Sequence, residues 1–228
     1  MDFELSREQK DVRQAAREFA IGELQDIAKD CDLNETFPRE LITKAGGLGF
    51  LGAFIDEEYG GAGFGFLEHA IILEEFWRID PGLGQQLCSV SFGAEEFLLF
   101  GSEEQRRRFL PPLVEGKKMM GFAITEPDAG SDTLSASTHA VLEGDEYRIN
   151  GSKVMIGNGS VGDFLLVFCL TDPDEKKRAK RHSIIAVETD RAGYEADPMH
   201  GKMGLRASDT SSVFFSDVRV PKENLVGE

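Results

Sequence analysis

Cysteine is scarce in this chain: Cys31, Cys88 and Cys169 are the three thiols among 228 residues. Odd in number, widely spaced and set in apolar surroundings, they exclude a disulfide framework and a cysteine metal site; buried free thiols in a reducing compartment are expected. Histidine is nearly as rare. His69, His139, His182 and His200 are scattered without ligand spacing, which argues against a metal centre. No apolar run approaches membrane-spanning length, and the opening MDFELSREQKDVRQ is charged throughout with no hydrophobic signal core, so a cytoplasmic protein without a membrane partner is expected. Positive charge is also short: 25 Lys and Arg stand against 41 Asp and Glu, a formal net charge of −16. So acidic a surface is repelled by nucleic acid and by anionic lipid. Repeats and low-complexity segments are missing. What remains is a chain long enough to bury one large core or two smaller ones.

The first half carries helical periodicity. Ser6 with Gln9 forms a capping-box pattern, after which Val12, Ala16, Phe19, Ala20, Leu24 and Ile27 recur at helical spacing. Pro38 suits the first position of a second helix through Leu41, Ile42 and Ala45, stopped by Gly46 and Gly47. A Gly-rich connection precedes a third helix bearing Ala70, Ile71, Leu73, Glu74 and Trp77, which ends near Asp80-Pro81. Residues 82–100 are almost uncharged and read as one buried helix. Ser102 opens another, supported by Glu103/Arg107 and Glu104/Arg108 spacing and ended by Pro111-Pro112. After Gly121 the period becomes that of strands. Ala140–Leu142, Tyr147–Ile149 and Lys153–Ile156 read as successive hairpin strands with turns at Glu143–Glu146 and Asn150-Gly151. Segments 164–170, 183–188 and 212–220 are further strands. The pattern gives an α+β multidomain chain, with a helical domain over residues 1–118 and a strand-rich domain over 119–228.

Residues 119–132, MMGFAITEPDAGSD, hold the most chemistry. A short apolar strand, Phe122-Ala123-Ile124, runs into Thr125, which offers a hydroxyl, and then into Ala129-Gly130-Ser131, whose backbone N–H groups are little shielded. That combination suits a flat heterocycle bearing phosphate. The stretch resembles the flavin signature of the acyl-CoA dehydrogenase family, in TEP at Thr125 to Pro127 and AGSD at Ala129 to Asp132. LSREQKDVRQAAREFA, FPRELITKAGGLGFLG, DEEYGG, LFGSEEQRRRFLPPLVEGK and KMGLRASDTSSVFFSDVRVPKENLVGE are similar to further family segments, in the family's order. The resemblance spans essentially the whole chain.

This resemblance implies an all-helical N-terminal domain and a β-barrel-like middle domain that binds FAD. It implies oxidation of an acyl-CoA thioester to the α,β-unsaturated ester, with electrons passed to an electron-transfer flavoprotein, and a homotetramer. It also implies a C-terminal helical bundle bearing the glutamate base; residues 1–228 show no counterpart, so no catalytic base is assigned and the chain by itself is expected to be inactive. By resemblance Phe122, Ile124, Thr125, Gly130 and Ser131 bind the cofactor, with Ser131 also facing substrate. The second flavin motif falls at Met155-Ile156-Gly157, where the family has an aromatic residue, Ile, and then Thr or Ser. Met155 can cover a ring through its sulfur, whereas Gly157 has no hydroxyl to offer flavin N5. Lys180 and Arg181, in the basic run Lys176–Arg181, are candidates for the CoA phosphates, against the plainer reading of a solvated loop. Gln85, Cys88 and Phe92 are candidates for the acyl pocket, and the lack of arginine in 82–100 favours a monocarboxylic acyl group. Two other readings stay open: an oxygen-reactive relative of the oxidase or hydroxylase type, and a binding subunit completed by another chain.

Overall fold

A computed structural model describes residues 4–227; residues 1–3 of the N-terminal motif and residue 228 lie outside the described residues. The chain forms two compact units. One comprises residues up to 91, then 107–118 and 200–208; the other comprises 92–106, 119–199 and 209 onward.

The first unit is helical. Helix α1 (Arg7–Glu23) begins in the expected capping box: the Ser6 side chain accepts from the Gln9 N–H, and Gln9 Oε1 accepts from the Ser6 N–H. Two orphan donors of the first turn are thereby satisfied. Its buried face carries Ala16, Phe19 and Ala20. Helix α2 (Ala28–Asn34) follows and ends at Glu35 in the left-handed conformation. Helix α3 (Glu40–Gly47) starts two residues later than Pro38. Helix α4 (Phe66–Ile79) packs on α1, and Phe19, Phe50 and Phe76 meet with ring centroids 5.4 to 5.5 Å apart. Edge-on aromatic contacts of this kind add to the burial of the rings themselves.

The expected single helix over 82–100 is two. Helix α5 (Pro81–Cys88), capped by Asp80, passes through one 3-10 turn, and α6 (Ala94–Phe100) starts after Gly93. Gly93 has φ of +102°, a conformation open to glycine and costly for other residues, so an uncharged run alone did not reveal the break. Helix α7 (Glu103–Val114) runs through Pro111 and Pro112 rather than stopping at them. Their missing N–H groups fall in the last turn, and the carbonyls there accept from Glu115, Lys117 and Lys118.

The second unit is built on an eight-stranded sheet. The strands are β1 (Met120–Ala123), β2 (His139–Glu143), β3 (Glu146–Gly157), β4 (Phe164–Leu170), β5 (His182–Glu188), β6 (Tyr194–Pro198), β7 (Thr210–Pro221) and β8 (Leu225–Val226); seven lie in the order β6-β7-β3-β2-β4-β5-β8, and β1 joins off this path. The sheet is barrel-like but not closed, with β6 and β8 as edges. Its core includes Ile149, Ile156, Leu165, Val167, Cys169, Ile185, Val213 and Phe215. Strand β1 pairs in parallel with the start of β4, while β2 reaches β4 through the single pair His139/Leu170.

The turn expected at Asn150-Gly151 does not exist. Both halves of β3 pair with β7, Tyr147–Ile149 against 218–220 and Gly151–Lys153 against 213–215, and the register slips between them. The extra residue lies on β7, where Ser216 and Asp217 stand opposite Asn150 and Asp217 takes φ of +53°, so the ladder carries a bulge instead of a reversal. A dipeptide common in hairpins here lies within one long strand.

Candidate functional site

Strand β1 and the end of β3 lie against each other within the second unit. A Cβ on Gly121 would stand 2.3 Å from the Gly157 carbonyl oxygen, so only glycine allows this approach. The buried Asn158 amide donates to the Met120 carbonyl at 2.6 Å, and the Val154 N–H donates to the Thr125 carbonyl at 2.9 Å. The segments read as first and second flavin motifs are thus joined by backbone and side-chain bonds.

Along the first motif Phe122, Ile124 and Thr125 are half-buried, and Gly130 and Ser131 are exposed. Glu126 and Ala129 exchange backbone bonds of 2.9 and 3.2 Å, which closes the turn that carries Pro127 and Asp128. In the second motif the register slips again between Lys153 and Ile156. Met155 takes φ of +61° in this bulge, and its side chain is 64% exposed. Such a conformation is uncommon for a residue with a Cβ and turns a core-facing alternation outward at one point. Ile156 points the other way, into the sheet core at 2% exposure, which leaves its backbone alone for the site. Gly157 has no positive φ, and a Cβ there would meet nothing within 4 Å.

Beneath these segments lies a feature absent from the sequence reading. Lys153 has no solvent exposure, and its Nζ donates to Glu126 Oε1 and to the Ile124 carbonyl, each at 2.9 Å. Glu126 also accepts from the Ser137 N–H at 2.7 Å, the Ser137 hydroxyl at 2.8 Å and the Thr138 N–H at 2.8 Å. Burial by itself would raise the Glu126 carboxyl, but the bonds from Ser137, Thr138 and Lys153 outweigh it and hold the group at about 2. Burial pushes the Lys153 ammonium down, and the Glu126 carboxylate opposes that shift. Parity was the available signal: Lys153 lies four residues beyond the core residue Ile149 on the same face of a strand, and a lysine there needs a counter-charge.

The remaining candidates are dispersed. Gln85 and Cys88 are half-buried on α5 in the helical unit, and burial drives the Cys88 thiol up to about 12. Cys31 and Cys169 are buried, and all three thiols are free. Phe92 is 61% exposed in the sheet unit, its ring centroid 6.4 Å from that of Phe122. Lys180 is exposed, while Arg181 Nε donates to the Glu175 carbonyl at 2.6 Å. From the same basic run Arg178 reaches the signature loop, bonding Asp132 Oδ2 and the Ser135 hydroxyl at 2.6 Å each. Among the described residues no His, Cys, Asp and Glu cluster could hold a metal ion, and no helix is long and apolar enough to cross a membrane.

The residues at β1 and β3 fit a flat ring system with phosphate. They offer half-buried apolar and hydroxyl side chains in a row, an exposed thioether beside them, and open space over Gly157 and Gly130. A helical unit and a barrel-like sheet unit in one chain define a class of two-part architecture. Residues 6–117 match the family model "Acyl-CoA dehydrogenase, N-terminal domain" and residues 121–218 match "Acyl-CoA dehydrogenase, middle domain". The chain belongs to the acyl-CoA dehydrogenase family. It is 41% identical over 229 residues to the short-chain specific acyl-CoA dehydrogenase of Clostridium acetobutylicum, covering 100% of this chain and 60% of that protein. Among solved structures it matches butyryl-CoA dehydrogenase from Megasphaera elsdenii with a TM-score of 0.92 and 35% identity, over 100% of this chain and 60% of that one. It also matches a glutaryl-CoA dehydrogenase from Mycobacterium smegmatis in complex with FADH2, with a TM-score of 0.89 and 31% identity, over 98% of this chain and 56% of that one. The chain therefore spans about 60% of the length of such relatives.

Proposed function

We propose that this chain forms the flavin-holding part of an acyl-CoA dehydrogenase that introduces an α,β double bond into an acyl-CoA thioester. The observation that carries the reading is the joined pair of segments at β1 and the end of β3, which presents Phe122, Ile124, Thr125, Met155 and Gly157 together. FAD, when bound, would supply the hydride acceptor, as a cofactor supplies chemistry that side chains cannot. The chain's own residues bind and orient. Phe122, Ile124 and Met155 give an apolar wall that excludes water, the Thr125 hydroxyl and the backbone of Ile156 and Gly157 offer polar contacts to the ring edge, and Gly130 and Ser131 offer backbone and hydroxyl groups to phosphate or CoA. Gln85, Cys88 and Phe92 are proposed for the acyl end, and Lys180 and Arg181 for the CoA phosphates. An α proton beside a thioester is weakly acidic, so a base and hydrogen bonds to the thioester oxygen are required; neither is assigned to a residue here. The whole protein is proposed to act as a homotetramer in fatty acid metabolism, with an electron-transfer flavoprotein as electron acceptor.

The purified whole protein should be yellow and should release FAD, not FMN, on denaturation. A colourless protein that takes up neither flavin would overturn the reading. A second reading, an oxygen-reactive flavoprotein, is favoured by Gly157, which leaves the ring edge without the hydroxyl usual in the family. Mixing the substrate-reduced whole protein with aerated buffer separates the two: slow reoxidation supports the dehydrogenase, and reoxidation as fast as turnover supports the oxidase.

A further inference from the structure

The buried pair of Lys153 and Glu126 has no part in the chemistry described above. Net stability is a weak reason for it, since the desolvation of two buried charges offsets their attraction and apolar residues of like volume often serve as well. Its contacts suggest a more specific role. Through Lys153 Nζ it holds the Ile124 carbonyl at 2.9 Å, and through Glu126 it holds the Ser137 and Thr138 amides at 2.7 and 2.8 Å. The next residue along β3 completes the arrangement, because the Val154 N–H holds the Thr125 carbonyl at 2.9 Å. Two consecutive carbonyls of the first motif are therefore anchored to two consecutive residues of β3. Those residues immediately precede Met155, the bulge residue at φ of +61°. Sliding Ile124 and Thr125 against Met155 to Gly157 would strip the ammonium of partners at a position with no solvent exposure, an expensive step. The ammonium also stands 5.9 Å over the Phe168 ring.

We infer that Lys153 and Glu126 are positioning residues: their buried ion pair locks the register between the two flavin-side segments and so fixes the seat of the ring. The inference rests on the flavin reading of that surface and deepens it.

Two variants test it, Lys153→Met and Glu126→Gln, with hydrogen exchange measured segment by segment on the FAD-free protein and FAD affinity measured by titration. Lys153→Met should speed exchange in 122–131 and in 152–160 together, with β5 and β6 keeping their protection, and should weaken FAD binding by about tenfold or more, the change expected on losing one charge-assisted bond at a well-ordered seat. Glu126→Gln keeps the side-chain shape and leaves Lys153 its bond to Ile124, so it should give the same pattern in milder form even if Lys153→Met does not fold. Exchange that rises evenly over the whole sheet, or FAD affinity unchanged in a folded variant, would reduce the pair to an ordinary core contact and overturn the inference. Failure of the unsubstituted protein to bind FAD would instead remove the flavin reading itself.

Discussion

Gly157 stands where the family resemblance leads one to expect a Thr or Ser hydroxyl, and its surroundings permit a direct test. Its backbone is not left-handed, a Cβ would meet nothing within 4 Å, and the residue lies in a strand paired with Thr210. A β-branched side chain suits such a position. In the whole protein Gly157→Thr should therefore fold with a melting temperature within a few degrees of the parent, while adding one hydroxyl at the proposed ring edge. A new hydrogen bond there contributes roughly 0.5 to 1.5 kcal/mol, enough to shift the flavin potential measurably and to change the rate of substrate reduction several-fold. A folded variant with unchanged potential and unchanged reduction kinetics would show that residue 157 does not face the ring. Met155 shows a different constraint at the same scale: its exposed thioether is placed by backbone strain, which sequence periodicity does not register.

At the scale of elements, the breaks are set by single residues with unusual backbone. Gly93 separates α5 from α6 at φ of +102°, and a Cβ there would lie 3.2 Å from Met120 Cε. Gly93→Ala should cost about 1 to 3 kcal/mol, from the left-handed backbone and the tight contact together, read as a lowered denaturation midpoint with an unchanged slope. An alanine variant as stable as the parent would mean that the break is set by packing and not by the glycine. Strand β3 teaches the converse. Asn150-Gly151 has hairpin composition, yet β7 pairs with both sides of it, and the long-range ladder overrides the local turn preference. Likewise Pro111 and Pro112 end no helix, because only the last-turn bonds are lost and the following amides cap the carbonyls.

For the molecule as a whole, acid should act through the carboxylates that the fold holds ionised. Glu126 sits at about 2 when folded against an ordinary value of 4.5. With a depressed folded pKa, its contribution is fully present above pH 4.5 and is lost as pH falls towards 2. The linked free energy is on the order of 3 kcal/mol for a buried group shifted this far. Asp132, Glu143, Asp145 and Asp217, drawn down by hydrogen bonds from Arg178, Arg148, Lys222 and Asn150 respectively, add in the same direction from exposed sites. Stability measured by chemical denaturation should fall steeply between about pH 4.5 and 2, and Glu126→Gln should flatten that fall. A Glu126→Gln profile parallel to the parent's would show that other carboxylates carry the acid response.

The sequence by itself determined the helical first half, the change to strands after Gly121, the capping box at Ser6 and the family, because each is written in local periodicity or in contiguous motifs. Only the tertiary structure decided that Met155 turns out and Ile156 turns in, that Asn150-Gly151 continues a strand instead of reversing it, and that Glu126 and Lys153 meet. These depend on which strand pairs with which and on how closely β1 can approach β3 at Gly121. Such long-range choices leave a trace in the sequence, a lysine on a core-facing parity or a glycine in a strand, but the partner that gives each trace its meaning lies tens of residues away.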